Sequence, residues 1–590
     1  MQTFSDFINF WAVADVLVAK RVQLGDKLHK KHMLHLMSPK QKLGKPLKTD
    51  LPLLQLLPSR KHWVGQGKKT RYRTLADGEH RQRRATAQSN SMAIRHTIEN
   101  DRNSAVKPDY LLRLEAFVEH IQQRVSSQNF ALARPTIFPD EKDDTSCRPL
   151  CKFENLEDAV IIILANRYLT QLFDGLFYDE SLAFRCKRTY HGQEDYVSSH
   201  HDAIDRIKEY RASHEGKQLY VSECDLQKFY DTVSHRVVRK CYYGLLKKVA
   251  KQHPGMGFDE INRVFEAYLN CYSFPKDVYG KNHCPKFWEE NEIEEKRRCF
   301  KWVKDELIAN KVAKTERGLL RMHIGVPQGG ALSGLIANMV LNTVDWRVKR
   351  QMTSHDLYLR YCDDMIILST SRVRCKKLFM VYYKGTKQLS LVPHKAAKEL
   401  KFGHKEFWKG KSKDAYLWAM GREDASEWIG FVGYEMSRDG LLRIRKKSFR
   451  NEIEKQREVV FDKVLDRVKG KDRVSDDSLF FSLENKLVSM SVGKMSVWNA
   501  EFLESEMCWS TGFKALEMNP VVERQLRALD RHRGMILSAA ARSIDKMKEK
   551  GKTIKRNDLK ELEEEKNRDK RGLVHSYYYQ FKRKQNIDIE

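Results

Sequence analysis

Residues 359–368, Leu-Arg-Tyr-Cys-Asp-Asp-Met-Ile-Ile-Leu, set two adjacent carboxylates, Asp363 and Asp364, between runs rich in apolar, aromatic and β-branched residues. Such runs, residues 358–361 before the acids and 365–368 after them, favour strands, so the stretch predicts a tight β hairpin with its acids at the tip. Asp also favours turns through hydrogen bonds to its own backbone, so a polar turn alone would explain the pair. The choice between turn and chemical site depends on what else the chain carries, and in what order.

The 590 residues, 41% of them hydrophobic, suffice for several domains or one multi-lobed enzyme with real cores. The 108 Lys and Arg against 79 Asp and Glu leave a formal net charge of +29, far beyond what solubility requires. That excess points to a polyanionic partner, nucleic acid before an anionic membrane. No run of about 18 apolar residues occurs, and residues 159–166, the longest candidate, have the length of a buried element. The first 20 residues carry Asp6 and Asp15 among apolar side chains and lack a basic start. They read as an amphipathic helix rather than a signal peptide, so a cytoplasmic protein without a membrane partner is expected. The 11 Cys are scattered and read as free thiols; Cys147 and Cys151 have no second ligand pair nearby to suggest zinc.

Along the chain, residues 1–107 form a basic N-terminal extension, in which Lys68, Lys69, Arg71 and Arg73 read equally as phosphate contacts or as a solvated loop. Helical periodicity begins near 108 and returns over 157–177. Residues 217–235 read as a strand ending near Asp225, followed by a helix capped by Ser234 with Val237, Val238, Cys241, Leu245 and Val249 on one face. A charged, aromatic and mostly helical insertion occupies about 251–318, and Lys/Arg-rich helices run from about 449 to the end. In residues 575–584, Tyr577–Tyr579 read first as docking residues and second as a hydroxyl donor for protein priming or as bases' stacking partners.

Two-metal nucleotidyl transfer needs carboxylates from separate elements, converging on ions about 4 Å apart. Asp225 supplies the missing acid if its strand lies beside the hairpin; alone it would be a strand-end cap. Between the two acidic stretches lies Gly-Val-Pro-Gln-Gly-Gly, residues 325–330, a flexible loop that opens a helix and allows close backbone approach to a ligand.

In this order the pieces resemble the bacterial reverse transcriptases of the group II intron-like branch. Residues 225–235 resemble the first palm motif, 325–338 the Pro-Gln-Gly motif and 361–364 the second metal-binding motif. Residues 389–395 are similar to the following Leu-x-Leu-Asn-Pro-x-Lys pattern, 428–448 to the primer-grip hairpin, and 147–153 and 181–185 to fingers motifs. The resemblance implies an α+β right-hand polymerase: fingers over 108–215, a palm over 216–448 with an antiparallel sheet and the Tyr-x-Asp-Asp hairpin, and a helical thumb and tail over 449–590. It implies Asp225, Asp363 and Asp364 as catalytic metal ligands for two Mg²⁺ ions, with Mn²⁺ as an alternative. It also implies Arg148, Tyr230, Gln328 and Lys395 at the nucleotide, with Tyr230 as a steric gate against the 2′-hydroxyl, and Phe431, Gly433 and Tyr434 at the primer.

The chain departs from the pattern at Ser333-Gly334, where Ser-Pro is usual, at Cys362, where Ala is more common, and in its longer insertion. Lacking the marks of retron, mobile-intron and diversity-generating enzymes, it is most similar to the "unknown group" enzymes associated with defence against phage. The expected activity is RNA-dependent DNA synthesis from dNTPs on a dedicated structured RNA, giving an RNA–DNA duplex, with room for an oligomer or second subunit. The alternatives are an RNA-templated RNA polymerase, a template-independent terminal transferase, or a non-catalytic maturase-like RNA-binding protein.

Overall fold

A computed structural model of the chain describes residues 2–35, 51–64, 72–74, 81–83, 86–143, 145–186, 188–190, 193–396, 402, 405–461, 483–484, 486–488, 490–491, 509–549 and 576–584. The chain divides into two units. The first comprises Met1–Val16, Glu115–Val432 and Ser437–Gly440, and the second Leu17–Leu114, Gly433–Met436 and Leu441–Glu590.

The first unit opens its chemistry-bearing part with a hairpin of β1 (Thr136–Asp143) and β2 (Ser146–Lys152). Next comes α1 (Leu156–Phe173), whose Asn155 side chain accepts from the Asp158 amide and whose first turn holds Glu157 and Asp158, both favourable at a helix N-terminus. With the short turn after it, Leu156–Leu176 is long and apolar enough to cross a membrane by length and composition. Here it is a core helix: Val160, Ile161, Leu164, Ala165 and Leu169 are fully enclosed.

α2 (His200–Ser213) precedes β3 (Leu219–Cys224), and α3 (His235–Gln252) and α4 (Asp259–Asn270) follow it. Ser234 does precede α3, but its hydroxyl makes no cap hydrogen bond. Instead Ser234 bridges Ile324, and the His235 amide donates to the His323 carbonyl at 3.0 Å. The buried face of α3 is His235, Val238, Tyr242, Leu245, Leu246 and Val249, so Val237 and Cys241 lie at its margin.

α5 (Ser333–Lys349) leads to β4 (Asp356–Tyr361), β5 (Asp364–Ser369), α6 (Arg372–Gln388), β6 (Lys413–Trp418) and β7 (Ala425–Ser426). The sheet order is β7-β6-β3-β5-β4, with only the β6–β7 pair parallel. β3 is central, and α6 packs across β3, β5 and β6. Continuous burial replaces alternation: Val221, Leu359, Ile366 and Ile367 are all fully enclosed.

In the second unit, β8 (Tyr434–Ser437) pairs antiparallel with β9 (Leu442–Ile444), followed by α7 (Lys446–Glu458), α8 (Pro520–Glu549) and α9 (Tyr577–Lys584). Val460, Leu483, Leu487, Ile536, Ala540 and Ile544 form a core there.

Candidate active site

Sheet register assembles the acids. β3 pairs with β5 through Cys224 and Met365, so Asp225, the next residue, arrives at the end of the β4–β5 hairpin. That hairpin closes with Tyr361 opposite Asp364, leaving Cys362 and Asp363 as a two-residue tip. Cys362 has φ +59°, a left-handed conformation that costs a non-glycine residue energy and must be held by its surroundings. Asp363 lies close enough to Asp225 to feel its charge. Burial, and then the charge of Asp225, raises the Asp363 carboxyl above its ordinary range. A divalent cation between the two would relieve both effects, so this pair is a donor set that fits one. Asp364 starts β5 and is exposed. No three His, Cys, Asp or Glu side chains are gathered as a metal-ligand group among the described residues, so Asp364 stands outside the pair.

The tip is held from below by Arg360, fully buried in β4. Its Nη1 donates to the Cys362 carbonyl at 2.8 Å and to Asn338 Oδ1 at 3.2 Å, and Nη2 donates to Ser181 Oγ at 2.7 Å. Nε and Nη2 grip Asp345 of α5 at 2.9 and 2.7 Å, and the Tyr358 hydroxyl donates to the same carboxylate at 2.5 Å. Burial alone would lower the Arg360 guanidinium; Asp345 against it raises it. Sequence reasoning missed this network, whose one signal was an arginine inside an apolar strand.

Beside Asp225 the segment around Pro393 runs antiparallel to residues 225–227: the Gln227 amide donates to the Val392 carbonyl at 2.7 Å and the His394 amide to the Asp225 carbonyl at 2.9 Å. Lys395, next in the chain, is exposed at this edge. Lys411 Nζ lies 2.7 Å from Asp225 Oδ2. Burial, and then the positive charges of Lys228, Arg148 and Lys411, lower the Lys142 ammonium. Lys142 and Arg148 of the β1–β2 hairpin, Lys228 of the turn after β3 and Lys411 before β6 thus lie within reach of one another's charge, with the buried Asp231 among them and Lys411 paired to Asp225. Like charges so gathered favour a polyanion. Of the four, only Arg148 was expected from sequence.

Tyr230 is half-buried, its ring edge-on to Phe229 at 5.4 Å and its hydroxyl 3.0 Å from Cys362 Sγ. Phe229 is the core residue of the two, 1% exposed. Gln328 does not reach free space: its Nε2 donates to Asp231 Oδ1 at 2.5 Å, while its carbonyl accepts from the Cys151 amide at 2.8 Å. The loop is tight where glycine is required. At Gly325, with φ +86°, a Cβ would come within 2.9 Å of Phe274 Cβ, and at Gly330 within 2.3 Å of the Tyr268 hydroxyl. A Cβ at residue 334 would fall 2.6 Å from the Phe184 ring, so the Ser-Gly departure from Ser-Pro is a packing consequence of Phe184.

The residues expected at the primer are divided between the two units along the chain. Phe431 ends the strand Trp428–Phe431 in the first unit, and Gly433, with φ +93°, and Tyr434 begin the second unit's share. Val432 between them has φ +41°, strained for a β-branched residue. Tyr434 is fully buried against Phe513, with its hydroxyl donating to the Gly512 carbonyl at 3.2 Å. Lys68, Lys69 and Arg71 lie outside the described residues, and Arg73 lies in the short strand Tyr72–Thr74. Cys147 and Cys151 are buried thiols, pushed up by burial to about 11 and about 12. Tyr577 is enclosed, donating to Glu452 Oε1 at 2.7 Å and accepting from Gln456 Nε2 at 3.1 Å, which is docking rather than priming. Its amide and that of Tyr578 donate to the Asp530 carboxylate, which caps α9.

No protein-family model matches the chain, and no curated protein does. Among solved structures it is similar to apo telomerase from Candida tropicalis truncated from its C-terminal domain (14% identity, TM-score 0.29), covering 54% of this chain and 56% of that one. It is also similar to apo telomerase from Candida tropicalis (13%, 0.33), over 99% of this chain and 86% of that one. A third is telomerase from Candida albicans in complex with a TWJ fragment of telomeric RNA (12%, 0.30), over 77% and 69%. These likenesses are distant.

Proposed function

We propose that the protein is an RNA-dependent DNA polymerase, a reverse transcriptase of the group II intron-like branch, acting in the cytoplasm on a dedicated structured RNA. The observation that carries this is the meeting of Asp225 and Asp363 beside the cations Lys142, Arg148, Lys228 and Lys411. The reaction is in-line attack of a 3′-hydroxyl on a nucleotide α-phosphate, forming one P–O bond and releasing pyrophosphate. Two Mg²⁺ ions, or Mn²⁺, when bound lower the hydroxyl's affinity for its proton and neutralise the leaving group. Asp225 and Asp363 would hold them, and Asp364, exposed at the start of β5, would support them from the neighbouring position. The cationic cluster binds the triphosphate, Lys395 lies at its edge, and Tyr230 lies beneath the sugar. Gln328 acts by fastening the loop to Asp231, and Phe431, Gly433 and Tyr434 position the primer end. The excess positive charge, including the basic arm, suits the RNA and the RNA–DNA duplex. The absence of retron, mobile-intron and diversity-element marks supports a role in phage defence.

The test is Mg²⁺-dependent synthesis from dNTPs on primed RNA, comparing wild type with Asp225→Asn and Asp363→Asn. Both variants should lose synthesis and keep RNA binding; synthesis persisting in either refutes the assignment. Preference for ribonucleotides would instead establish an RNA polymerase. Phage plating with the Asp363→Asn gene tests the defence role, which equal protection would remove.

A further inference from the structure

The insertion between the first palm motif and the Pro-Gln-Gly loop closes on the fingers hairpin. Along an antiparallel strand, the amides facing away from the partner recur at every second residue. On β2 the Cys147 amide donates to the Cys299 carbonyl at 2.8 Å, Pro149 has no N–H, and the Cys151 amide donates to the Gln328 carbonyl at 2.8 Å. Parallel bridges of Cys147 with Phe300 and of Leu150 with Gln328 mark the same two places. The outer edge of this two-stranded ribbon, a row of unmet donors in an isolated hairpin, is therefore engaged at both ends. The insertion holds one and the loop holds the other.

The insertion's grip is itself built. Asn282 serves both backbone groups of Phe300, donating from Nδ2 to its carbonyl at 2.8 Å and accepting at Oδ1 from its amide at 2.7 Å. Arg297 meets Glu141 of β1 at 2.5 Å. Phe300 is fully enclosed in a core shared by the insertion (Phe287, Trp288) and the hairpin (Ile137, Cys147). The next residue, Lys301, offers its carbonyl to Lys228 Nζ at 2.7 Å. One stretch, residues 297–301, thus fixes the hairpin that carries Lys142 and Arg148 together with the Lys228 ammonium.

We propose that residues 297–301, anchored by Asn282, are a fixed edge segment, bridged to the hairpin at Phe300, that holds the fingers hairpin in its nucleotide-binding position, assembling the triphosphate-binding cations before a nucleotide arrives. This rests on the polymerase reading. A ribbon free to pivot must be ordered by each incoming nucleotide, which weakens binding; a ribbon fixed on folding avoids that cost. Asn282, Arg297 and Phe300 are positioning residues, since none touches the reacting atoms.

The experiment combines hydrogen exchange with nucleotide kinetics on the full chain. Asn282→Ala should speed exchange of the Cys147 amide by about tenfold while leaving the Cys151 amide, held by Gln328, unchanged. Nucleotide KM should rise about fivefold with kcat within about twofold. Asn282→Asp, which keeps the acceptor for the Phe300 amide, should fall between. Glu141→Gln, at a partly exposed ion pair that folding tolerates, should shift KM the same way by less. Faster exchange at Cys147 with unaltered KM in these variants overturns the proposal, as does a KM that rises only where the melting temperature falls. A wild type that makes no polymer on any primed template removes the polymerase reading and this proposal with it, whereas an active wild type with insensitive variants removes this proposal alone.

Discussion

Replacing Arg360 with Met keeps an unbranched apolar stem but removes the guanidinium and with it all five side-chain hydrogen bonds, to Asp345 (two), Asn338, Ser181 and the Cys362 carbonyl. Asp345 is left fully enclosed with the Tyr358 hydroxyl as its remaining donor in this network. Breaking a buried ion pair from one side costs about 3–5 kcal/mol, because the surviving charge has neither water nor counter-ion. That is a large share of the roughly 5–15 kcal/mol that holds a typical protein folded. Asp345→Leu should cost a similar amount by stranding the guanidinium. The double variant Arg360→Met/Asp345→Leu exchanges the pair for an apolar contact, so its loss should be well below the sum of the singles. Calorimetric unfolding of the four proteins measures this cycle. Stability and synthesis should separate: the double variant regains its fold but stays slow, because the Cys362 carbonyl at the strained tip has lost its donor. An Arg360→Met protein within about 1 kcal/mol of wild type, or a double variant as unstable as the sum, would refute the reasoning.

Burial lowers the His235 imidazole from 6.5 to about 4, and its Nε2–H is held by the Gly325 carbonyl at 2.7 Å. Between those values the unfolded chain binds more protons, so stability present above pH 6.5 should be lost towards pH 4, by up to roughly 3 kcal/mol. His235→Gln should flatten that part of the stability–pH curve, and an unaltered curve would sink the assignment. Tyr230→Ala should admit ribonucleotides while retaining deoxynucleotide incorporation, whereas a pure core aromatic would simply cost about 3–5 kcal/mol. Competition between each ribonucleotide and its deoxy counterpart decides, alongside a melting curve. Tyr577→Phe leaves the buried Glu452 carboxyl, already raised by burial, without its phenol donor, and should destabilise the second unit by about 1–3 kcal/mol. A calorimetric trace matching wild type would show that the tail contributes nothing through this bond.

Elements whose code is local were legible in the order of residues. Apolar runs of strand length on both sides of the acids specify a hairpin, and it forms, but its tip is Cys362 and Asp363, while Asp364, expected at the tip as well, pairs with Tyr361 as the first residue of the second strand. The glycines around Pro327 announce a loop that opens a helix, but the close approach they were expected to allow a ligand is made at Gly325 and Gly330 by the protein's own Phe274 and Tyr268. Which distant groups meet depended on the folded arrangement. Nothing near Arg360 in the chain names Asp345 as its counter-ion, and nothing near Gln328 names Asp231, because a buried charge is satisfied by whatever the fold brings within hydrogen-bond reach. The Ser234 cap failed for the same reason: strand-like pairing with residues 323–324 took over that backbone. The cations Lys142, Arg148, Lys228 and Lys411 come from three separate stretches of chain, and residues 299 and 301 make their contacts through backbone carbonyls, which every residue possesses. A carbonyl's role depends on where folding carries it, and composition and periodicity do not record that place.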